Sequence, residues 1–344
     1  MQLPREVLVG NGTIERVGEI CQRLGFTRSA LVIAGQKTYD IAGKTVKDLL
    51  EREGVEISTL LVKTATAKDV DAVEEKIGKL KPQVVFGVGG GTKIDVAKCS
   101  SAHRGTPFIS VPTTASHDGI ASPLASIKGF EKPYSLMAQA PIAIIADTDI
   151  IMKSPWRLTI SGCGDVLAKY TSVRDWKLAH TEKNEYYGSY AASLALMSAR
   201  LVTENAKIIK PENEEGLRVL IEALISCGVS MSIAGSSRPC SGSEHMFSHA
   251  FDMLRPNHAL HGERCGVGTI MMSYLHRANW KHVKGTLEEL GAPTTAKELG
   301  AEKEEIIEAL GMATTIRPDR YTILNKLNLD RDAWGKLAGT TEII

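Results

Sequence analysis

The strongest constraint on the fold is an alternation that runs through the first half of the chain. Short β-branched runs at Ala30 to Ala34, Ile57 to Val62, Val84 to Val88, Phe108 to Val111 and Ile142 to Ala146 predict strands. Between them, amphipathic stretches at about Thr13 to Leu24, Lys37 to Glu53, Ala67 to Leu80 and Ile94 to His103 predict helices. This pattern predicts a parallel sheet covered on both faces, and in open sheets of that kind ligands bind at the carboxyl ends of the strands. From about Pro155 the β-branched signal fades, and runs such as Tyr187 to Ile209 and Glu214 to Ala234 read as helices at a period of 3.6. The expected architecture is therefore α/β: a Rossmann-like parallel-sheet domain over residues 1–154, followed by an all-helical domain over 155–344.

With 344 residues, 43% of them hydrophobic, the chain can bury a core of that size. A formal charge of +1 gives no electrostatic footprint for nucleic acid. The N-terminus lacks the basic and apolar regions of a secretion signal, and no run of about 18 apolar residues stands out, so a cytoplasmic protein without membrane insertion is expected. Cys21, Cys99, Cys163, Cys227, Cys240 and Cys265 show no C-x-x-C spacing, which predicts reduced thiols. A two-domain chain with an exposed sheet edge is expected to form a homo-oligomer.

Val85-Phe-Gly87-Val-Gly89-Gly90-Gly91-Thr92-Lys93-Ile-Asp95-Val-Ala-Lys98 runs a strand through three glycines into a helix. Residues without side chains let the backbone approach a pyrophosphate, whose charge the helix N-terminus favours. The turn follows about the third strand rather than the first and lacks the Gly-Lys-Ser/Thr of a P-loop, so it is an atypical dinucleotide turn. The next strand end, Ser110-Val-Pro112-Thr113-Thr114-Ala115-Ser116-His117-Asp118-Gly119, supplies hydroxyls and a carboxylate that can line the nicotinamide half.

A third pattern concerns metal chemistry. His245 and His249 stand at i and i+4, on one helix face, and His261 follows the breaker Arg255-Pro256-Asn257 near the start of the next helix. A single histidine on an apolar helix is usually a core residue, but three within 17 residues point to a divalent ion. Asp165, in Ser161-Gly-Cys-Gly164-Asp165, reads as a carboxylate in the first turn of a helix, a cap and an oxygen ligand being compatible roles. His258 and His117 are spare imidazoles, while Cys163 and Cys265 are softer donors less suited to polarising a substrate.

Together, Gly89-Gly90-Gly91 with Asp95 and Lys98, Pro112-Thr113-Thr114, Gly164-Asp165, His245-x-x-x-His249 and His261-Gly-Glu263 resemble the iron-containing alcohol dehydrogenase, glycerol dehydrogenase and dehydroquinate synthase superfamily over most of the chain. Within it, Thr113-Thr-Ala-Ser-His-Asp118-Gly-Ile-Ala-Ser122-Pro and Ser237-Arg-Pro-Cys-Ser-Gly-Ser-Glu-His245 look like the glycerol-1-phosphate dehydrogenase family of archaeal phospholipid synthesis. That resemblance implies reversible reduction of dihydroxyacetone phosphate to sn-glycerol 1-phosphate by NADH or NADPH at a zinc ion, one per subunit, with Ni²⁺ or Fe²⁺ also suited to the donor set.

Carried over by position, the resemblance implies Asp165, His245 and His261 as metal ligands. It implies His249 and Asp118 as catalytic residues that contact substrate, with Asp165 also facing it. Gly89, Gly90, Gly91, Thr92 and Lys93 would meet the cofactor phosphates, and Thr113, Thr114, Ala115, Ser116 and Ser122 the nicotinamide half. The strand end Ile33-Ala-Gly35-Gln36-Lys37-Thr38 lacks the acid that would repel a 2′-phosphate, which predicts use of both cofactors. Arg238, Lys128 and Lys132 flank the two active-site strings and are candidates for the substrate phosphate. The alternatives are glycerol dehydrogenase acting on the unphosphorylated triol and a dehydroquinate-synthase-like lyase.

Overall fold

The computed structural model describes residues 2–129 and 136–344, so Lys132 lies outside the described residues. The chain divides into two compact units, Met1–Trp156 and Arg157–Ile344.

The first unit contains β1 (Glu6–Gly10), β2 (Ser29–Ala34), β3 (Glu56–Leu61), β4 (Val84–Gly89), β5 (Phe108–Pro112), the short antiparallel pair β6 (Leu124–Ala125) and β7 (Leu136–Met137), and β8 (Ala143–Asp147). Six of these form one sheet in the order β1-β8-β5-β4-β2-β3, with every pairing parallel. The five anticipated strands are present within a residue or so. β1 was not anticipated; it pairs with β8 from Glu6↔Ala143 to Gly10↔Asp147 and forms one edge of the sheet.

Helices cover this sheet. Val17–Leu24 and Lys44–Arg52 bury Val17, Ile20, Val46 and Leu50 against Val32, Phe86, Ile109 and Ile145 of the strands. Fully burying an aliphatic or aromatic side chain of this kind stabilises by about 1.5–3 kcal/mol. Each continuous helix anticipated near Thr13 and near Lys37 is broken: Thr13–Arg16 is a 3₁₀ turn, and Tyr39–Gly43 winds as a π-helix. The Ala67–Leu80 helix begins as its sequence dictates, with the Thr66 hydroxyl accepting from Asp69 N and the Asp69 carboxylate accepting in return from Thr66 N.

The second unit is helical among its described residues. At its centre the Ser243–Leu254 helix packs against His261–Leu275 and Lys303–Ile316, while Ser189–Glu204 packs on Glu214–Ala234. Glu214–Ala234 is the one helix among the described residues long and apolar enough to cross a membrane by length and composition, and 61% of its apolar window is buried inside the protein. All six cysteines are free and buried.

Buried Asp175 ties four segments together. Its carboxylate accepts from Ser243 N at 2.7 Å and Ile323 N at 2.8 Å, and lies 2.9 Å from His276 Nε2. One carboxylate thus joins the Lys169–Lys183 helix to the starts of the Ser243–Leu254 and Ile323–Leu327 helices and to the residue that ends His261–Leu275.

Candidate metal centre and dinucleotide turn

Asp165 lies in the last turn of the Trp156–Leu167 helix, not in a first turn as its local sequence suggests. Gly162 and Gly164 read as breakers, yet they remain helical because another backbone passes close by. A Cβ at Gly164 would sit 2.2 Å from Gly262 O, and one at Gly262 would sit 1.7 Å from Ser161 O. Only glycine allows this approach, which sets the start of the His261–Leu275 helix against the turn carrying Asp165. Glu263 fixes that start: its carboxylate accepts from Leu260 N at 2.8 Å and pairs with Arg157, Nε to Oε1 at 2.5 Å.

The result is a compact donor group. Asp165 Oδ1 lies 3.4 Å from His245 Nε2 and 3.9 Å from His261 Nε2. One ligand atom each from Asp165, His245, His261 and Cys265 falls within a 4.8 Å spread. Cys265 is thus brought to the edge of the cluster, its Sγ 3.5 Å from His261 Nε2, while Cys163 is not among these donors. His249 is also outside the donor group, yet its ring centroid is 5.9 Å from that of His261 and 6.3 Å from that of His245. His258 lies elsewhere, its Nε2 2.6 Å from Gly300 O.

The surroundings prepare these groups for a cation. Glu244 Oε1 lies 2.8 Å from His245 Nδ1, and the same carboxylate accepts from Gly242 N at 2.6 Å and from the Thr171 hydroxyl at 2.6 Å. A carboxylate on Nδ1 favours the proton there and turns Nε2 toward Asp165, with a proton or a cation between them. Lys169, fully buried, donates to Asp165 O at 2.7 Å and Oδ1 at 3.0 Å.

Burial disfavours the charged Asp165 carboxylate, but Lys169, His245 and His261 outweigh it and hold the group well below the usual carboxylate range. At His245 burial opposes the imidazolium, while Cys265, Asp165 and Glu244 together push its pKa well up. Burial and then the charge on His245 push the pKa of both His249 and His261 well down, leaving each neutral. An anionic oxygen facing two imidazole nitrogens attracts one cation, a proton or a divalent ion, so the donor set fits a metal.

In the first unit, β4 leads through Gly90 into the Gly91–His103 helix, and no side chain caps that start. Gly89 has φ +150°, and a Cβ at Gly91 would overlap the His117 ring, 1.8 Å from Nε2. Thr92 is exposed at the helix start, and the Lys93 ammonium reaches sideways to donate to Lys63 O at 2.6 Å. Thr113 N donates to Gly89 O at 3.0 Å, joining the two strand ends, and the Thr114 hydroxyl lies over Gly90 and 3.5 Å from the Ser116 hydroxyl. Ala115 is buried, and the Ser122 hydroxyl is held by Leu124, donating to its carbonyl at 3.0 Å.

Asp118 opens the 3₁₀ turn Asp118–Ile120. Buried Lys98 secures this loop: it pairs with Asp95 at 3.0 Å and donates to Gly119 O at 2.9 Å and Leu124 O at 2.6 Å, while Asp95 accepts from Ser126 N at 3.0 Å. The motif residues Asp95 and Lys98 therefore position the loop rather than present themselves to a ligand.

Lys169, Glu244 and Thr171 were missed by sequence reasoning. Lys169 stands at i+4 from Asp165 and Glu244 directly precedes a histidine, so helix spacing from Asp165 was the available signal for the first. Of the expected phosphate contacts, Arg238 is consumed by Glu185, its Nε 2.6 Å from Oε1, and Lys128 is an exposed residue bridged to Thr66.

Comparison with known proteins agrees with this chemistry. Residues 8–155 match the family model for iron-containing alcohol dehydrogenase. Glycerol-1-phosphate dehydrogenase, NAD(P)+, of Methanosarcina mazei is 53% identical over 344 residues, covering 100% of this chain and 96% of that protein. The enzyme of the same name from Thermococcus kodakarensis is 54% identical over 345 residues, covering 100% and 98%. Among solved structures, glycerol dehydrogenase from Schizosaccharomyces pombe matches the fold with a TM-score of 0.82 at 22% identity, covering 99% of this chain and 90% of that one.

Proposed function

The chain belongs to the glycerol-1-phosphate dehydrogenase family, and on that premise we propose that it interconverts dihydroxyacetone phosphate and sn-glycerol 1-phosphate with NAD(P)H, supplying the glycerol backbone of archaeal-type phospholipids. The observation that carries the reading is the convergence of Asp165, His245 and His261 within a 4.8 Å spread. These three residues would hold a divalent ion, for which zinc suits the nitrogen and oxygen donors. The chemistry such an ion supplies when bound is Lewis-acid polarisation of a ketone.

The remaining work falls to side chains. Glu244 fixes the tautomer of His245, and Lys169 keeps Asp165 ionised. His249, a neutral imidazole beside the ligand group and outside it, holds a substrate hydroxyl and exchanges the proton gained or lost by the substrate oxygen. Asp118 and Asp165 contact the substrate. In the first unit the uncapped helix start at Gly89, Gly90, Gly91, Thr92 and Lys93 receives the pyrophosphate, and Thr113, Thr114, Ala115, Ser116 and Ser122 line the nicotinamide half. Lys37, exposed after the end of β2, tolerates a 2′-phosphate, so both NADH and NADPH serve.

The test is the absorbance of NADPH at the nicotinamide band on mixing protein with dihydroxyacetone phosphate. Steady loss of absorbance that stops with a chelator and returns with Zn²⁺ is expected. Tight NADPH binding without any oxidation would sink the reading, and faster turnover of dihydroxyacetone than of its phosphate would replace it with a glycerol dehydrogenase.

A further inference from the structure

Three arginines gather around Ser237 and the loop that leads into the Ser243–Leu254 helix. Arg238 is neutralised by its two-pronged pair with Glu185. Arg320, 7% exposed, donates from Nη1 to Ser241 O at 2.6 Å and from Nη2 to Ser237 Oγ at 2.7 Å. Arg317, half-buried, donates to the same hydroxyl at 3.5 Å. Neither Arg317 nor Arg320 forms an ion pair with a carboxylate within 4.0 Å among the described residues. Their side-chain hydrogen-bond partners are the Ser241 carbonyl and the Ser237 hydroxyl.

Two neighbouring guanidinium groups, one buried, with Asp319 and Glu185 acting on them only from beyond ion-pair distance, form a costly arrangement. Buried charge is ordinarily paired, and like charges side by side repel. Arg320 feels this directly: burial, and then the charges of Arg317 and Arg238, pull its pKa down from the usual arginine value to about 9. The pair is tied to the segment that carries the histidines, because Arg320 donates to Ser241 O, four residues before His245. Arg264, Arg317 and Arg320 all act on the His249 imidazole, and Arg264 is already matched by Asp252 at 2.5 Å. Among the arginines acting on His249, the two without a carboxylate ion pair are Arg317 and Arg320.

We propose that Arg317 and Arg320 form the subsite for the phosphate monoester of the substrate, next to the hydroxyl and carbonyl end held at His249. The inference rests on the dihydroxyacetone phosphate reading and names the residues that make the site select a phosphorylated ketone. A phosphate dianion supplies the charge the arginines lack, and its oxygens accept the guanidinium N–H groups that Ser237 and Ser241 leave open. Arg238 and Glu185 frame the subsite without contributing net charge.

The experiment compares the metal-loaded wild type with Arg317→Gln, Arg317→Lys and Arg320→Gln, each with NADPH, on dihydroxyacetone phosphate and on dihydroxyacetone. Each glutamine variant should lower kcat/KM for the phosphorylated ketone roughly 10- to 100-fold, chiefly through KM, and far more than for dihydroxyacetone. Arg317→Lys should recover part of that loss, and inorganic phosphate should lose its competitive inhibition by a similar factor.

The proposal is overturned if Arg317→Gln, with a wild-type melting curve, keeps the wild-type preference between the two ketones. It is likewise overturned if the variants raise KM for NADPH and leave that for the ketone unchanged, which would give the arginines to the cofactor. Should Arg320→Gln fail to fold, Arg317→Gln decides alone. A wild type indifferent to the phosphate group would instead remove the dihydroxyacetone phosphate reading itself.

Discussion

Lys169 Nζ lies 3.0 Å from Asp165 Oδ1, and both side chains are buried to 1% exposure or less. Removing one member of such a pair leaves an uncompensated charge, at a cost of about 3–5 kcal/mol. Lys169→Met should therefore lower the melting temperature of the metal-free protein sharply. Added Zn²⁺ should recover more stability in the variant than in the wild type, because a cation then takes over the lost compensation. Equal shifts on metal addition in thermal scans would count against this role.

The crossing of Gly164 and Gly262 gives a second prediction. A methyl at Gly262 would meet the Ser161 carbonyl oxygen at 1.7 Å, and a backbone atom cannot move aside as a side chain would. Gly262→Ala should cost at least the ~1–3 kcal/mol of ordinary overpacking and weaken metal retention, because separating the helices separates Asp165 from His261. Denaturant unfolding together with chelator competition measures both. A variant of normal stability and metal affinity would show the helices free to part.

Glu244→Gln retains shape and removes charge from the group 2.8 Å from His245 Nδ1. Metal affinity is expected to fall by about 10- to 100-fold, the usual effect of losing a carboxylate behind a ligand histidine. Equilibrium competition with a coloured chelator reads the change, with far-ultraviolet dichroism as the control for folding.

The buried thiols of the first unit predict an alkaline limit. Burial raises Cys21 to about 12 and Cys99 to about 11 from an ordinary value of 9.0. Between pH 9.0 and those values the folded state keeps protons that the unfolded state has released, so stability falls as pH rises. The fall should approach about 1.4 kcal/mol per pH unit for each thiol. Urea midpoints of wild type and a Cys21→Ala, Cys99→Ala double variant across this range test it: the variant should be less stable overall but lose less on going alkaline.

Much of this was legible in the chain because it depends on local pattern. β4 and β5 are apolar runs closed by Gly89 and Pro112, and His245 and His249 share a helix face through spacing alone. β1 escaped because Glu6-Val-Leu-Val-Gly10 is a short edge strand whose partner, β8, lies more than a hundred residues away. The helix around Asp165 was misplaced because Gly162 and Gly164 act as breakers in isolation, and the approach of Gly262 accounts for the glycine at 164. Arg317 and Arg320 carry no spacing relative to the histidines. Their meaning comes from having Ser237 and Ser241 as neighbours, a fact of tertiary structure.

Asp175 makes the histidine-bearing helix depend on a distant part of the chain. Because it clasps Ser243 N and Ile323 N at once, the helix bearing two of the histidines is anchored to a segment near the end of the chain. The alignment of His245 and His249 thus depends on residues far beyond them in sequence, so a chain shortened before Ile323 would lose one of the anchors of their helix.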